Sequence, residues 1–300
     1  MHAEHFSLPN SSPPIMTMQE FYQLRDLIYT HTYLFYTEIQ KPLLERKIRS
    51  RLSMVSCSSF AHYYALLMDL HEGQQELRRL IDYLVVHETS FFRIIDHFNG
   101  LQHHVFPALL TASSGDRPSP IRVWSAGCAT GEEPYSIAMT FWEMMSHRQL
   151  SPPFPRSLHV VATDISPPIL DNAREGKYSQ KQVKKVQQAL LDKYFICHDH
   201  YYYIRKEIQQ YVTFSVFNLV QVDTLPDLSF DIIFCRNVLI YFDRRAQAKL
   251  LTKFLQMLPE GGFLFLGETE SIHTFPEAAR HFEFVESGNA LIYQKRGVLS

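Results

Sequence analysis

The sequence predicts an α/β protein in which an all-helical N-terminal unit precedes a mainly parallel sheet, and a small helix-plus-strand subdomain interrupts that sheet. Three observations carry this prediction. Apolar residues recur at helical spacing from Met18 to about Leu84. After Pro118, Ser119 and Pro120, short apolar runs alternate with helical stretches, as in β-α-β units. One connection, about Lys177 to Gln210, is too long for a simple crossover helix. At 300 residues, with 46% hydrophobic and 20% charged, the chain can bury a full core and divides most naturally into two domains.

Residues 1–16 are expected to be a mobile leader, since Pro9, Asn10, Ser11, Ser12, Pro13 and Pro14 have little to bury. Residues 17–86 form the helical domain, marked by Phe21, Leu24 and Ile28, then Leu44, Ile48 and Leu52, then Phe60, Tyr64 and Leu67. Its second helix, Lys41 to Arg51, sets Lys41, Arg46, Lys47, Arg49 and Arg51 against the single acid Glu45. Such a run is either a solvated face or a dock for an acidic partner. Residues 87–117 read as a linker, in which Phe91 and Phe92 look like an anchor between the two domains.

Residues 118–300 form the α/β domain. Its strands are Ile121 to Trp124, Leu158 to Thr163, Val212 to Phe217, Phe230 to Cys235 and Gly262 to Leu266, and a hairpin follows from Phe282 to Val285 and Ala290 to Tyr293. The insertion, about residues 177–210, is helical from Gln180 to Leu191 and favours short strands at Tyr194 to Ile196 and Tyr201 to Arg205.

Overall charge excludes little more than a general affinity for polyanions. Lys plus Arg number 29 against 31 acids, a net of −2, so no nucleic-acid role is expected. The four cysteines form no C-x-x-C pair and no secretory leader precedes them, which fits a reduced cytoplasm. No apolar run approaches the roughly 18 residues that span a bilayer.

Chemistry concentrates where strands end. In V-W-S-A-G-C-A-T-G-E-E-P-Y, Val123 to Tyr135, a strand runs through Gly127 and Gly131 into a helix. Thr130 and Glu133 have capping-box spacing, which leaves Glu132 unexplained. Two carboxylates in a first helical turn would repel a pyrophosphate, against an NAD-type or P-loop site, and would favour an ammonium or sulfonium. Asp164 closes the second strand, where it could accept from both ribose hydroxyls or cap the next helix. The third strand ends at Asn218 and Leu219, suited to the edge and face of an adenine. The fourth delivers Arg236, Asn237 and Tyr241 to the same edge, although a plain turn would also explain the first two. Cys197, His198, Asp199 and His200 alternate faces in an extended segment, so no metal site is expected.

Taken together, E-T-S-F-F-R at Glu88 to Arg93, S-A-G-C-A-T-G-E-E-P-Y-S at Ser125 to Ser136, A-T-D-I-S at Ala162 to Ser166, N-A-R-E-G-K-Y-S at Asn172 to Ser179, F-C-R-N-V-L-I-Y-F at Phe234 to Phe242 and G-E-T-E-S at Gly267 to Ser271 resemble the chemotaxis receptor glutamate O-methyltransferases, the CheR family. The resemblance runs from about Met18 to Tyr293. It implies a Rossmann-like methyltransferase domain with an inserted β-subdomain and an antiparallel final strand, using S-adenosylmethionine and no metal. By that similarity, His87, Thr89, Arg93, Glu132, Asp164, Asn218, Leu219, Arg236 and Asn237 are cofactor contacts. Arg93 and Tyr241 fall near the transferred methyl as catalytic residues. Family members commonly carry asparagine where this chain has His87.

The resemblance also implies the partners: the cytoplasmic helical domain of methyl-accepting chemotaxis receptors, and for some members a receptor tail peptide held by the inserted subdomain. It implies a cytoplasmic monomer found transiently at receptor arrays. Two other readings stand beside it, a non-catalytic module that binds S-adenosylmethionine as a sensor or scaffold, and a methyltransferase for another substrate, since R-N-V-L-I-Y bears a loose likeness to the amine-positioning loops of base-modifying enzymes.

Overall fold

The computed structural model describes residues 14–111, 119–150, 156–226 and 228–297. The chain divides into two compact units, residues 1–85 and residues 86–300.

Among its described residues the first unit holds four α-helices, α1 (Met18–Thr32), α2 (Lys41–Met54), α3 (Phe60–Leu67) and α4 (Gly73–Leu84). Thr17 opens α1 with a capping box: its hydroxyl accepts from the Glu20 amide at 3.2 Å while the Glu20 carboxylate accepts from the Thr17 amide at 2.8 Å. Phe21, Leu24, Ile28, Leu44, Ile48, Phe60, Tyr63 and Leu80 fill the interior. The expected leader ends earlier than residue 16, because Met16 is buried and the Pro14 carbonyl accepts from Arg49 Nη2 at 3.0 Å. The rest of it, residues 1–13, lies outside the described residues.

The basic helix is less basic than its sequence suggests. Arg51 makes a bidentate pair with the buried Glu76, Nη2 to Oε2 at 2.6 Å and Nε to Oε1 at 3.0 Å, and Glu76 also accepts from Tyr63 Oη at 2.7 Å. Glu45 is flanked by Lys41 and Arg49, and Lys47 Nζ caps the Leu84 carbonyl at 3.0 Å. Burial holds the Lys47 amine below its usual range. Arg46 remains exposed. Most of this charge therefore orders the unit itself.

The second unit begins with a continuous helical run, α5 (Ile95–Gly100), a π turn (Leu101–Val105) and α6 (Phe106–Thr111), whose Phe98, Leu101, Val105 and Phe106 are buried. Residues 87–117 were expected as a linker and cofactor-contacting segment, and the linker part is corrected: four large apolar side chains between residues 95 and 111 belong to the core, while residues 112–117 lie outside the described residues. Its strands are β1 (Ile121–Ala126), β2 (Leu158–Asp164), β3 (Lys177–Ser179), β4 (Phe195–His198), β5 (Tyr201–Ile204), β6 (Val212–Val216), β7 (Ile232–Cys235), β8 (Phe263–Leu266), β9 (Phe282–Val285) and β10 (Leu291–Lys295).

Seven of them form one sheet in the order β6-β2-β1-β7-β8-β10-β9. The first five pair in parallel, and β10 runs antiparallel to β8 and β9. The chain leaves β1 toward β2 and later returns to its other side as β7. That reversal opens a crevice at the carboxyl ends of β1 and β7, the usual place for a ligand in an open α/β sheet. Beneath it the core is aromatic, with Phe234 stacked on Phe265 at 4.1 Å and Trp124 on Phe230 at 5.6 Å.

The insertion forms its own three-stranded antiparallel sheet, β3-β5-β4. Asp199 and His200, both at positive φ, turn β4 into β5, as a two-residue hairpin of type I′ requires. Among the described residues no three His, Cys, Asp or Glu side chains converge as metal ligands.

Candidate functional site

The loop after β1 is built by backbone geometry. The Gly127 and Cys128 amides both donate to the Thr163 carbonyl, at 2.8 Å and 2.9 Å, folding the loop over the end of β2. Gly127 has φ +77°, and a Cβ there would meet a Val238 methyl at 2.6 Å. The neighbour that requires a glycine here is therefore the chain's own Val238. Gly131, at φ +90°, then opens α7 (Glu132–His147).

Three carboxylates gather here, and burial is the first force on each. Asp164 accepts from the Ala129 amide at 2.9 Å and the Ser166 amide at 3.1 Å, tying β1's loop to the end of β2. Burial raises its pKa, opposed by those amides and by His87, whose Nδ1 lies 3.9 Å away. Glu132 accepts from Thr130 Oγ1 at 2.6 Å and Gln182 Nε2 at 3.3 Å, and burial raises its pKa as well.

Glu133 corrects the capping-box reading. The residue that precedes α7 is Gly131, and the Glu133 carboxylate turns inward, accepting from Ser125 Oγ at 2.7 Å and from Arg236 Nη1 at 3.2 Å. Burial pushes its pKa up and the guanidinium opposes that shift. Arg236 is itself buried, donates through Nη2 to the Arg93 carbonyl, and lies over the Phe98 ring at 5.6 Å. Nη1 and Nη2 of Arg236 are thus engaged inside the protein, while its buried Nε has no partner there.

The segment Glu88 to Ile94 is held from several sides. Phe91 packs on Tyr178 at 4.7 Å and Phe195 at 5.3 Å, and Phe92 on Phe98 at 5.3 Å. The expected interdomain anchor therefore binds this segment to the inserted subdomain and α5. The Phe92 amide donates to Ser136 Oγ at 3.0 Å, and Phe92 and Ile94 both sit at positive φ, 51° and 60°, on either side of Arg93. Side chains rarely adopt that region without a surrounding structure that imposes it. Arg93 Nη1 donates to the Glu88 carbonyl at 2.8 Å.

Across the crevice, Glu270 pins the loop after β7. Its carboxylate accepts from the amides of Asn237 at 2.8 Å, Val238 at 2.9 Å, Ile240 at 3.2 Å and Gly267 at 2.7 Å. This holds Asn237 at φ +60° and sets Tyr241, whose pKa burial raises and the nearby positive charge of Arg93 opposes. Asn218 closes the third main strand by accepting from the Val220 amide at 3.1 Å, and Leu219 is buried beside it.

The structure thus brings Arg93 within electrostatic reach of Tyr241, and His87 beside Asp164, with Glu132 at the start of α7. Thr89 lies on the same segment, between His87 and Arg93. Buried polar atoms at this edge, His87 Nε2 and Asn237 Oδ1, have no hydrogen-bond partner in the protein. Glu133, Ser125 and Glu270 were missed as supports. Only the motifs G-E-E-P and G-E-T-E-S mark them in the sequence, because their partners lie far along the chain.

An open α/β sheet with acids at the ends of β1 and β2 is a ligand-binding domain suited to a cationic group. Residues 87–289 match the family described as CheR methyltransferase, SAM binding domain, which makes this a methyltransferase that uses S-adenosylmethionine. Residues 19–85 match CheR methyltransferase, all-alpha domain. The chain belongs to the CheR methyltransferase family. It is 33% identical to the chemotaxis protein methyltransferase of Borreliella burgdorferi, over 86% of this chain and 89% of that one. To the chemotaxis protein methyltransferase of Escherichia coli it is 33% identical over 84% of each chain, and to chemotaxis protein methyltransferase 2 of Pseudomonas aeruginosa 33% over 88% and 93%. No helix among the described residues is long and apolar enough to cross a membrane.

Proposed function

We propose that this protein transfers the methyl group of S-adenosylmethionine to glutamate side chains in the cytoplasmic helical domain of methyl-accepting chemotaxis receptors, forming methyl esters. The observation that carries this reading is the family match through both units, joined to a crevice with buried acids at one side and Arg93 with Tyr241 at the other. Two kinds of evidence fit the cofactor there: carboxylates whose charge burial penalises would be relieved by a cation, and two buried polar atoms lack partners.

Asp164 would hold the ribose through lone pairs its two amide donors leave open, and Glu132 would face the cationic end. His87, Thr89 and the Arg93 side chain would line the same ligand, with Asn218 and Leu219 at the adenine and the backbone of Arg236 and Asn237 closing the crevice. The bound cofactor supplies an electrophilic methyl on a sulfonium. A substrate glutamate, with an ordinary pKa of about 4.3, is already an ionised nucleophile at neutral pH, so no general base is required. Orientation is then the main contribution, worth roughly 7 to 11 kcal/mol for well-placed reactants. Arg93 and Tyr241 orient the carboxylate. Arg93 must hold only one oxygen or the cofactor side, since a clamp on both would stabilise charge that disappears in the transition state. The phenol of Tyr241, its pKa raised, stays protonated and can donate.

The reading places the protein in the cytoplasm as a monomer, transiently at receptor arrays. Incubation with methyl-labelled S-adenosylmethionine and receptor cytoplasmic fragments, followed by mild alkali, tests it. Label released as volatile methanol supports carboxyl methylation. Alkali-stable label would assign another substrate, and cofactor binding with no transfer to any fragment would favour a sensor or scaffold.

A further inference from the structure

We propose that Lys181, Lys184 and Lys185 of the inserted subdomain, together with a cavity beside Arg93, form a docking face for an acidic helical segment of the protein substrate. This rests on the proposed function and adds to it the place where the substrate is held. Residues 177–210 carry seven Lys and Arg against three Asp and Glu, in a chain whose net charge is −2. Four of these cations already have work inside the protein. Lys177 and Lys193 pair with Glu175 at 3.8 Å and Glu143 at 2.6 Å, Arg205 donates to the Asp192 carbonyl at 3.4 Å and Lys206 to Gln209 at 2.9 Å.

Lys181, Lys184 and Lys185 are exposed, and no ion pair is recorded for them among the described residues. Lys181 lies in the short helix Gln180–Val183 and Lys184 and Lys185 in the turn that follows, so three exposed cations stand within five residues that include no acid.

A cavity of about 260 Å³ opens next to this turn, lined by Phe92, Arg93, Ile94, Ile95, Lys185 and Leu190 among others. It is smaller than the roughly 300 to 1,000 Å³ of sites that enclose a small molecule, and suits side chains of a docked polypeptide. Ile95 is exposed and Leu190 half-buried at its wall, so the face offers an apolar strip beside three free cations. That pairing fits an amphipathic acidic helix, with apolar residues in the cavity and carboxylates on the lysines. Because Arg93 lines the same cavity, a helix seated there brings one glutamate to the crevice. The cations of α2 compete poorly for this role, since Glu45, Glu76 and the Leu84 carbonyl already hold four of the five.

The test uses the full chain and a fluorescein-labelled helical peptide bearing glutamates at i, i+3 and i+4 beside leucines, followed by anisotropy at low and moderate salt. The expected result is binding that salt weakens, reduced about tenfold or more in K181E/K184E/K185E and less in the triple glutamine variant, with affinity for S-adenosylhomocysteine unchanged as the check on folding. Equal binding by the wild type and the charge-reversed protein, or no binding by the wild type, overturns the proposal. So does a single-stranded oligonucleotide that binds the wild type as tightly, because the face would then be a general polyanion site.

Receptor fragments separate this inference from the reading it rests on. If no fragment is methylated yet the acidic peptide binds through these lysines, the substrate assignment fails and the face stands. If fragments are methylated with the same KM by wild type and K181E/K184E/K185E, the face fails and the reaction stands.

Discussion

Substituting Glu133→Gln tests whether the buried pair beneath the crevice exists to position Arg93. Glutamine keeps the volume and can still accept from Ser125 Oγ, but it strands the Arg236 guanidinium, whose Nε already has no partner. Arg236 exposes only 2% of its side chain, so water cannot replace the lost countercharge. Removing one partner of such a pair costs about 3–5 kcal/mol, whereas replacing both by apolar or neutral groups of similar volume is often neutral or stabilising. Glu133→Gln should therefore destabilise the second unit by about 3–5 kcal/mol, and Glu133→Gln with Arg236→Met should recover most of that loss.

Urea unfolding followed by tryptophan fluorescence reads this unit alone, because both tryptophans, Trp124 and Trp142, belong to it. Function should separate from stability. The double variant lacks the donor to the Arg93 carbonyl, so its kcat should stay low even though its stability is recovered. A Glu133→Gln protein within about 1 kcal/mol of wild type would refute the energetic argument, given the cost of a stranded buried charge. A double variant with native kcat would refute the positioning role.

Two further predictions concern neighbouring groups. His97 is fully buried, and burial first and Arg236 second push its pKa down to about 3, so the folded unit resists its protonation. Its contribution is fully present above the unfolded value of about 6.5 and is lost as pH falls toward about 3, at about 1.4 kcal/mol per unit. Against His97→Phe, wild type should thus lose about 2.5 kcal/mol more between pH 6.5 and pH 4.5 in urea titrations, and parallel pH profiles would contradict this. Gly127→Ala should destabilise by at least about 1–2 kcal/mol from its positive φ alone, and adding Val238→Ala should relieve the steric part but not the backbone part.

Elements whose signal is local were legible in the sequence. The strands of the main sheet are short apolar runs because both faces are covered, and the insertion announced itself by length and by Tyr201 to Arg205. The strand-end acids were legible too, since glycine turns and helix starts mark where β1 and β2 finish. What sequence could not give was the partner of a charged side chain. Glu133 has the spacing of a cap to Thr130, but its partner Arg236 stands 103 positions away, and burial decides between them. Arg51 looked like part of a free basic face until Glu76, 25 positions on, neutralised it. Glu270 serves four backbone amides, donors that every residue but proline carries, so no side-chain pattern could single it out.

Locating the transferred methyl group tests carboxyl methylation most directly. Wild-type protein, S-adenosylmethionine and a receptor cytoplasmic fragment are reacted at neutral pH, and the digested fragment is sequenced by tandem mass spectrometry. Methyl esters are expected on glutamates of the acidic helices, and none with Arg93→Ala at matched cofactor occupancy. Methyl groups on lysine or asparagine, or the same glutamates modified at the native rate by Arg93→Ala, would contradict it.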